Sequence, residues 1–205
     1  MSHQDLNSLC YYLNLLHPVY LHRIDDFRFS SWPRLSGSTR ERAVRDIRSF
    51  LESVQPVSLR VGYVAWFYCW LMSHHVLGPW LAYRINVSPA PSYDNLYYIP
   101  ERLADAMGFP SCGATLATSL NRFGRFACIV VRDTVSGTLQ QVVCIRTFDE
   151  CPYLVVCPLA STHVRRLRSV LSTVLRGDPG ELLVACGSSL NAATLEVATD
   201  YANLR

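Results

Sequence analysis

The chain has 205 residues, half of them apolar and 17% charged, so it is long enough and apolar enough to bury a core of ordinary domain size. All nineteen basic residues are arginine, whereas about a dozen lysines are usual in a chain of this length. The absence of lysine excludes a Schiff-base lysine, the lysine of a phosphate-binding P-loop and the strand lysine of a protein kinase. The net charge of +3 is too small to require a nucleic-acid partner.

The first part of the sequence predicts helices. Apolar residues recur at helical spacing between Leu6 and Leu16, which predicts a helix that ends before Pro18. Ser38 and Glu41 form a capping box for a second helix with one apolar face, and Pro56 lies beyond its end.

The segment 61–83 carries no formal charge and is long enough to span a bilayer. A Ser-His-His triplet at 73–75 and a Gly-Pro pair at 78–79 favour instead a buried helix followed by a strand from Trp80 to Val87. Association with a membrane through this segment stays open as an alternative. If the segment assembles with a partner, its candidate interface residues are Trp66, Trp70 and Trp80.

After a polar loop at 86–95, the sequence predicts two short helices and then mostly strands. The helices are expected at 100–108 and 113–123, strands at 125–133, 139–148, 153–159 and 181–186, and a covering amphipathic helix at 164–175. We therefore predict an α+β fold, with a helical N-terminal half packed against a mainly antiparallel C-terminal sheet that one helix covers. Residues 1–90 and 91–205 are the two expected regions, and they can also form one continuous domain.

The cysteines are expected to be reduced. Eight cysteines make up about 4% of the chain, which is below the level of disulfide scaffolds, and the first residues do not have the pattern of a secretory signal. We therefore expect an intracellular protein, in the cytoplasm or nucleus of a host cell. Four cysteines lie in apolar strand-like runs and are predicted to act as small core residues: Cys128, Cys144, Cys157 and Cys186.

Cys112 is the candidate nucleophile, because it directly precedes the helix predicted at 113–123, and a helix N-terminus favours a reactive thiolate. A cysteine at a helix start followed by antiparallel strands resembles the outline of papain-like cysteine hydrolases. That resemblance implies His163 as the general base. The alternative is that Cys112 is a small residue that packs where a loop meets a helix.

Metal and cofactor motifs are missing from the sequence. Cys144, Cys151, Cys157 and His163 carry ligand atoms, but their separations are longer than those of a zinc knuckle, and the sequence contains no Cys-x-x-Cys pair. We predict neither a metal nor a small-molecule cofactor.

Two predicted helices carry arginines on their polar sides. Guanidinium groups pair with phosphates and stack on bases, so these helices together are a candidate nucleic-acid platform. Its residues are Arg40, Arg42, Arg45 and Arg48 on the first helix and Arg165, Arg166 and Arg168 on the second.

Our leading functional hypothesis is a non-enzymatic accessory or interaction protein. Lysine-free coding is typical of compressed viral genomes, so we expect a virus-encoded protein, either a host-defence antagonist or an assembly subunit. The expected partner is a host protein or a second copy of the chain, with RNA as a further option. The alternatives are a cysteine hydrolase that uses Cys112 and His163, and a protein associated with a membrane through residues 61–83.

Overall fold

A computed structural model describes residues 3–26, 32–85, 97–108, 112–121, 124–148, 151–161 and 164–203. The predicted α+β class is confirmed. Helices form most of the N-terminal half, an antiparallel sheet forms most of the C-terminal half, and a C-terminal helix packs on that sheet.

The N-terminal half contains four α-helices among the described residues. They are α1 (His3–Asn14), α2 (Pro18–His22), α3 (Arg40–Ser53) and α4 (Val57–Met72), and a short 3₁₀ helix, Arg23–Asp26, follows α2. On α3 the apolar side chains recur every three or four residues, so Val44, Ile47 and Leu51 are all buried. Burying each such side chain contributes about 1.5–3 kcal/mol, which fixes α3 against α1 and α4.

The sheet has the strand order β2-β3-β4-β5-β1-β6, and each neighbouring pair is antiparallel. Its strands are β1 (Trp80–Arg84), β2 (Cys112–Asn121), β3 (Gly124–Asp133), β4 (Leu139–Thr147), β5 (Tyr153–Ser161) and β6 (Leu183–Gly187). The strand from the first half of the chain, β1, therefore lies inside the sheet, between β5 and β6.

Helices cover both faces of the sheet. Strand β3 is buried on both sides, so its residues alternate between two cores. Phe126, Cys128 and Val130 pack in the core formed with α1, α3 and α4, which we call the first face. Ala127 and Ile129 pack in the core on the opposite side, the second face.

Four more helices follow among the described residues of the later part of the chain. They are α5 (Ile99–Gly108), α6 (Val164–Leu175), α7 (Pro179–Leu182) and α8 (Leu190–Asn203). Helices α5 and α6 pack on the second face, whereas buried residues of α8 belong to the core of the first face.

Two local predictions are corrected. The segment 113–123 was predicted as a helix, which is wrong: Cys112–Asn121 is strand β2, paired with β3 along its whole length. Helix α3 is capped by Thr39 rather than Ser38, since Thr39 Oγ1 accepts a hydrogen bond from Arg42 N at 3.3 Å.

The segment 61–83 forms most of α4 and the larger part of β1, as the helix-then-strand prediction requires. Eight residues of α4 are buried. Within the described ranges, no helix combines the length and apolar character needed to cross a membrane.

Candidate functional site

Strand β2 forms one edge of the sheet. Each of its ten residues is paired with β3, and no other described strand pairs with it. In an antiparallel ladder, alternate residues direct their N–H and C=O groups away from the partner strand, so half of the backbone groups of β2 face outward.

The composition of β2 leaves this edge open to pairing. Its sequence, CGATLATSLN, contains no charged residue and no proline. Natural edge strands are commonly protected by charges, prolines, bulges or short length. The pairing of β2 with β3 runs without interruption from Cys112 to Asn121, so this edge has none of the four devices.

Helices flank β2 on both faces. On the first face, Cys69 of α4 donates a hydrogen bond from Sγ to Ala117 O at 3.2 Å. On the second face, α5 packs on β2, with Gly108 of that helix close to Ala114. The end of the strand is open, since Leu120 is 65% exposed. Strand β2 is therefore packed between two helices, one on each face.

The three candidate interface tryptophans lie in different environments. Trp80 is fully buried, and its Nε1 donates to Leu77 O at 2.8 Å, so its prediction as an interface residue is wrong. The cause is that Trp80 packs in the first-face core, beneath the helices that cover that face. Trp66 and Trp70 of α4 are half-buried against the core.

Cys112 is the first residue of β2 and not a residue before a helix, so the helix dipole invoked from the sequence is absent. It is 8% exposed, and Arg166 Nη1 donates to its Sγ at 2.9 Å. Arg166 Nη2 also donates to Met107 O, so this arginine links α6 to both β2 and α5. The proposed base, His163, lies outside the described residues.

The two arginine-bearing helices lie on opposite sides of the sheet. The buried residues of α3 belong to the first-face core, and those of α6 belong to the second-face core. The predicted single platform built from both helices is therefore wrong, because the sheet separates them.

Two of the α3 arginines are held by neighbours within the protein. Arg48 donates to Glu52 Oε1 at 2.9 Å and to Asn7 Oδ1 at 2.8 Å, and Arg40 Nη1 donates to Asn14 O at 2.9 Å. The bonds to Asn7 and Asn14 tie α3 to α1. The exposed members of the predicted set are Arg42, Arg45, Arg165 and Arg168.

Three cysteines stand side by side across the sheet. Cys128 pairs with Cys144, which pairs with Cys157, and all three are fully buried on the first face. Burial raises the pKa of each thiol. Their prediction as core residues is confirmed, whereas Cys186 is exposed, so its prediction was wrong.

Cys151, the remaining described cysteine of the candidate metal set, is half-buried. Among the described residues, no group of three or more His, Cys, Asp or Glu side chains is arranged to hold a metal ion.

Comparison of the whole chain with protein-family models and with curated proteins gives no match in either.

Proposed function

We propose that this protein is a non-enzymatic interaction protein that pairs along β2 with a second copy of itself. The observation that supports this proposal is the uncharged, uninterrupted edge at Cys112–Asn121, to which no other described strand is paired. A second β2 strand satisfies the outward N–H and C=O groups, which is how a strand is added to an exposed sheet edge.

The lack of charge on β2 favours a second copy as the partner. In a twofold dimer the residue at the axis meets its own copy, so a charged residue at the centre of β2 would place like charges directly opposite each other. Antiparallel pairing about Leu116 places Ala114 opposite Thr118 and Cys112 opposite Leu120. All these side chains are small or apolar, so none opposes the contact.

The test is sedimentation velocity of the purified chain from about 1 to 100 μM, a range that suits an interface smaller than the standard 1,600 Å². We expect a monomer–dimer equilibrium. Thr118 is exposed and lies opposite Ala114 of the second copy, so Thr118→Lys places a charged side chain against the apolar edge in each half of the dimer, and we expect at least a tenfold weaker association. Thr199→Lys, at an exposed threonine of α8, is the matched control and leaves association unchanged.

Hydrogen exchange identifies the surface that is used. In the dimer, alternate β2 amides that exchange quickly at low concentration become protected, and in Thr118→Lys they do not. A chain that stays monomeric at every concentration overturns the proposal. So does a dimer that Thr118→Lys and Thr199→Lys affect equally, since its contact then lies elsewhere.

The proposed cellular role is that of a virus-encoded accessory or assembly protein, supported by the absence of lysine. A chain without lysine has no side-chain acceptor for ubiquitin. We expect Arg42→Lys, at an exposed and charge-conserving position, to shorten the half-life in cells, and proteasome inhibition to restore it. An unchanged half-life removes evasion of ubiquitin as the reason for this composition.

A further inference from the structure

A cavity lies beneath α6 on the second face of the sheet. It is at strands β1 and β5, away from the β2 edge. Its volume is about 140 Å³. Leu81 of β1 and Pro158 of β5 lie on the sheet side, and Leu167 and Leu171 of α6 lie opposite them. An apolar cavity of about 150 Å³ admits one benzene molecule, so this space suits a single ring or branched aliphatic group.

Irregular strand pairing explains why the space is not filled. The register between β4 and β5 shifts next to Pro158, and the register between β1 and β6 shifts next to Tyr83. Both residues line the cavity. Such irregularities bend and twist a sheet, so the helix above it cannot follow the strands closely at this point.

One positive charge lies at the rim of the cavity. Arg168 is exposed, lines the cavity, and forms no salt bridge or hydrogen bond with any described residue. Among the described residues that line the space, none carries a carboxylate. The charge of Arg168 also reaches the neighbouring phenol: burial raises the pKa of Tyr83, and Arg168 opposes that rise.

We propose that this cavity binds an organic carboxylate whose apolar part is about the size of a benzene ring. The apolar group contacts Leu81, Leu167 and Leu171, and the carboxylate pairs with Arg168 at the rim. A guanidinium accepts a carboxylate bidentately, and a few polar groups around an apolar space set ligand orientation. Free aromatic acids and the C-terminal apolar residue of a peptide both present this chemistry.

The test is a titration of the full-length protein followed by amide chemical shifts. Phenylacetate is expected to bind with a Kd on the order of 1 mM, given its ten non-hydrogen atoms, and to perturb residues of β1 and α6. Phenylacetamide has the same shape without the charge, and we expect it to bind about fivefold more weakly.

Arg168→Gln is expected to remove that difference between acid and amide. Arg165→Gln is the matched control, since Arg165 is an exposed arginine of the same helix that does not line the cavity. Because both arginines are exposed, both variants are expected to fold.

A peptide ending in Phe, with a free or an amidated C-terminus, distinguishes the two sources of the carboxylate. Tighter binding of the free-acid peptide than of phenylacetate assigns the site to a protein C-terminus, and equal binding assigns it to a small acid. Three results overturn the proposal: no shift at the cavity residues, equal binding of phenylacetate and phenylacetamide, or equal effects of Arg168→Gln and Arg165→Gln. None of them bears on the dimer proposed at β2, which uses the opposite edge of the sheet.

Discussion

The two edges of the sheet differ in how completely they are protected. The β2 edge is ten residues long, uncharged and regularly paired. The β6 edge, Leu183–Gly187, is half as long, and the register of its pairing with β1 shifts between Ala82 and Tyr83. Short length and a bulge are two devices that prevent an edge from recruiting another strand.

Helix α8 flanks the β6 side of the sheet, as α4 and α5 flank β2. It packs on β6, β1 and β5, and side chains hold it to the sheet at two points. Tyr153 Oη donates to Asp200 Oδ2 at 2.7 Å, and Arg146 Nη1 donates to Thr194 Oγ1 at 2.9 Å. Both edge strands are therefore supported by helices, and β6 differs from β2 in its short length, its shifted register and the close approach of α8 at Gly187.

Glycines at the two edges provide the strongest test of this difference. A Cβ atom added at Gly187 would lie 2.6 Å from Ala193 N and 3.0 Å from Ser189 O, so Gly187→Ala forces α8 away from β6. We expect a loss of about 2–3 kcal/mol in the free energy of unfolding, measured with urea. Gly113→Ala on β2 is the control, because its Cβ meets only side-chain atoms, at 3.6 Å or more, and we expect a change within about 0.5 kcal/mol. Equal losses at both positions would show that β6 is no more closely packed than β2.

The hydrogen bond between Tyr153 and Asp200 is the next largest expected effect. Tyr153 is fully buried, so Tyr153→Phe removes a bond to a carboxylate and is expected to lower the free energy of unfolding by about 1–2 kcal/mol at pH 7. Tyr83→Phe is the control. It also removes a phenol hydroxyl, but Tyr83 lies in the core of the second face, whereas α8 packs on the first face.

The same bond predicts a dependence on alkaline pH. Burial, followed by the hydrogen bond to Asp200 and the charge of that residue, raises the pKa of Tyr153. Above the ordinary tyrosine pKa of about 10, the unfolded chain releases this proton while the folded protein keeps it, so stability falls as the pH rises further. We expect a smaller fall in Tyr153→Phe between pH 9 and 11. An identical slope in the two proteins contradicts this assignment.

Local sequence patterns were sufficient for most elements but failed at the proposed functional edge. In β2, Leu116 and Leu120 are spaced as on a helix, and Ala and Leu favour helices. A strand pattern is also present, because alternate residues face the second face: Cys112, Ala114 and Leu116. The helical spacing of the leucines outweighs it in the prediction. Pairing with β3 decides the outcome, and such pairing is not encoded in the local propensity of the segment.

The predictions of the arginine platform and of Trp80 as an interface residue failed for a different reason. A polar helix face can be read from spacing, but the side of the sheet on which the helix packs depends on the path of the whole chain. Arg45 and Arg168 both lie on correctly predicted helices, and the sheet separates them. Trp80 likewise lies on a correctly predicted strand, and its burial follows from the helices that pack on the first face, which the sequence pattern does not reveal.

The cysteines at the two edges give the last prediction, in the rate of thiol modification. Cys186 of β6 is exposed, whereas Cys112 of β2 is 8% exposed and accepts a hydrogen bond from Arg166. We expect an aromatic disulfide reagent at pH 7 to label Cys186 about tenfold faster than Cys112, because thiol reactivity requires access. Cys128 and Cys144, which are fully buried, are expected to label only on unfolding. Mass spectrometry of the labelled peptides gives each rate.

The opposite order would favour the cysteine hydrolase. If Cys112 reacts faster than Cys186 despite its burial, its sulfur is activated by its surroundings, and His163→Ala then tests the candidate base. Loss of the fast reaction in His163→Ala, with Cys186 labelled at its former rate, supports a catalytic pair. A fast reaction that survives in His163→Ala but is lost in Arg166→Gln assigns the activation to the arginine that contacts Sγ. If Cys112 reacts slowly, as we expect, it is a packing residue at the first position of β2. The β2 edge is then best explained as a surface for strand pairing.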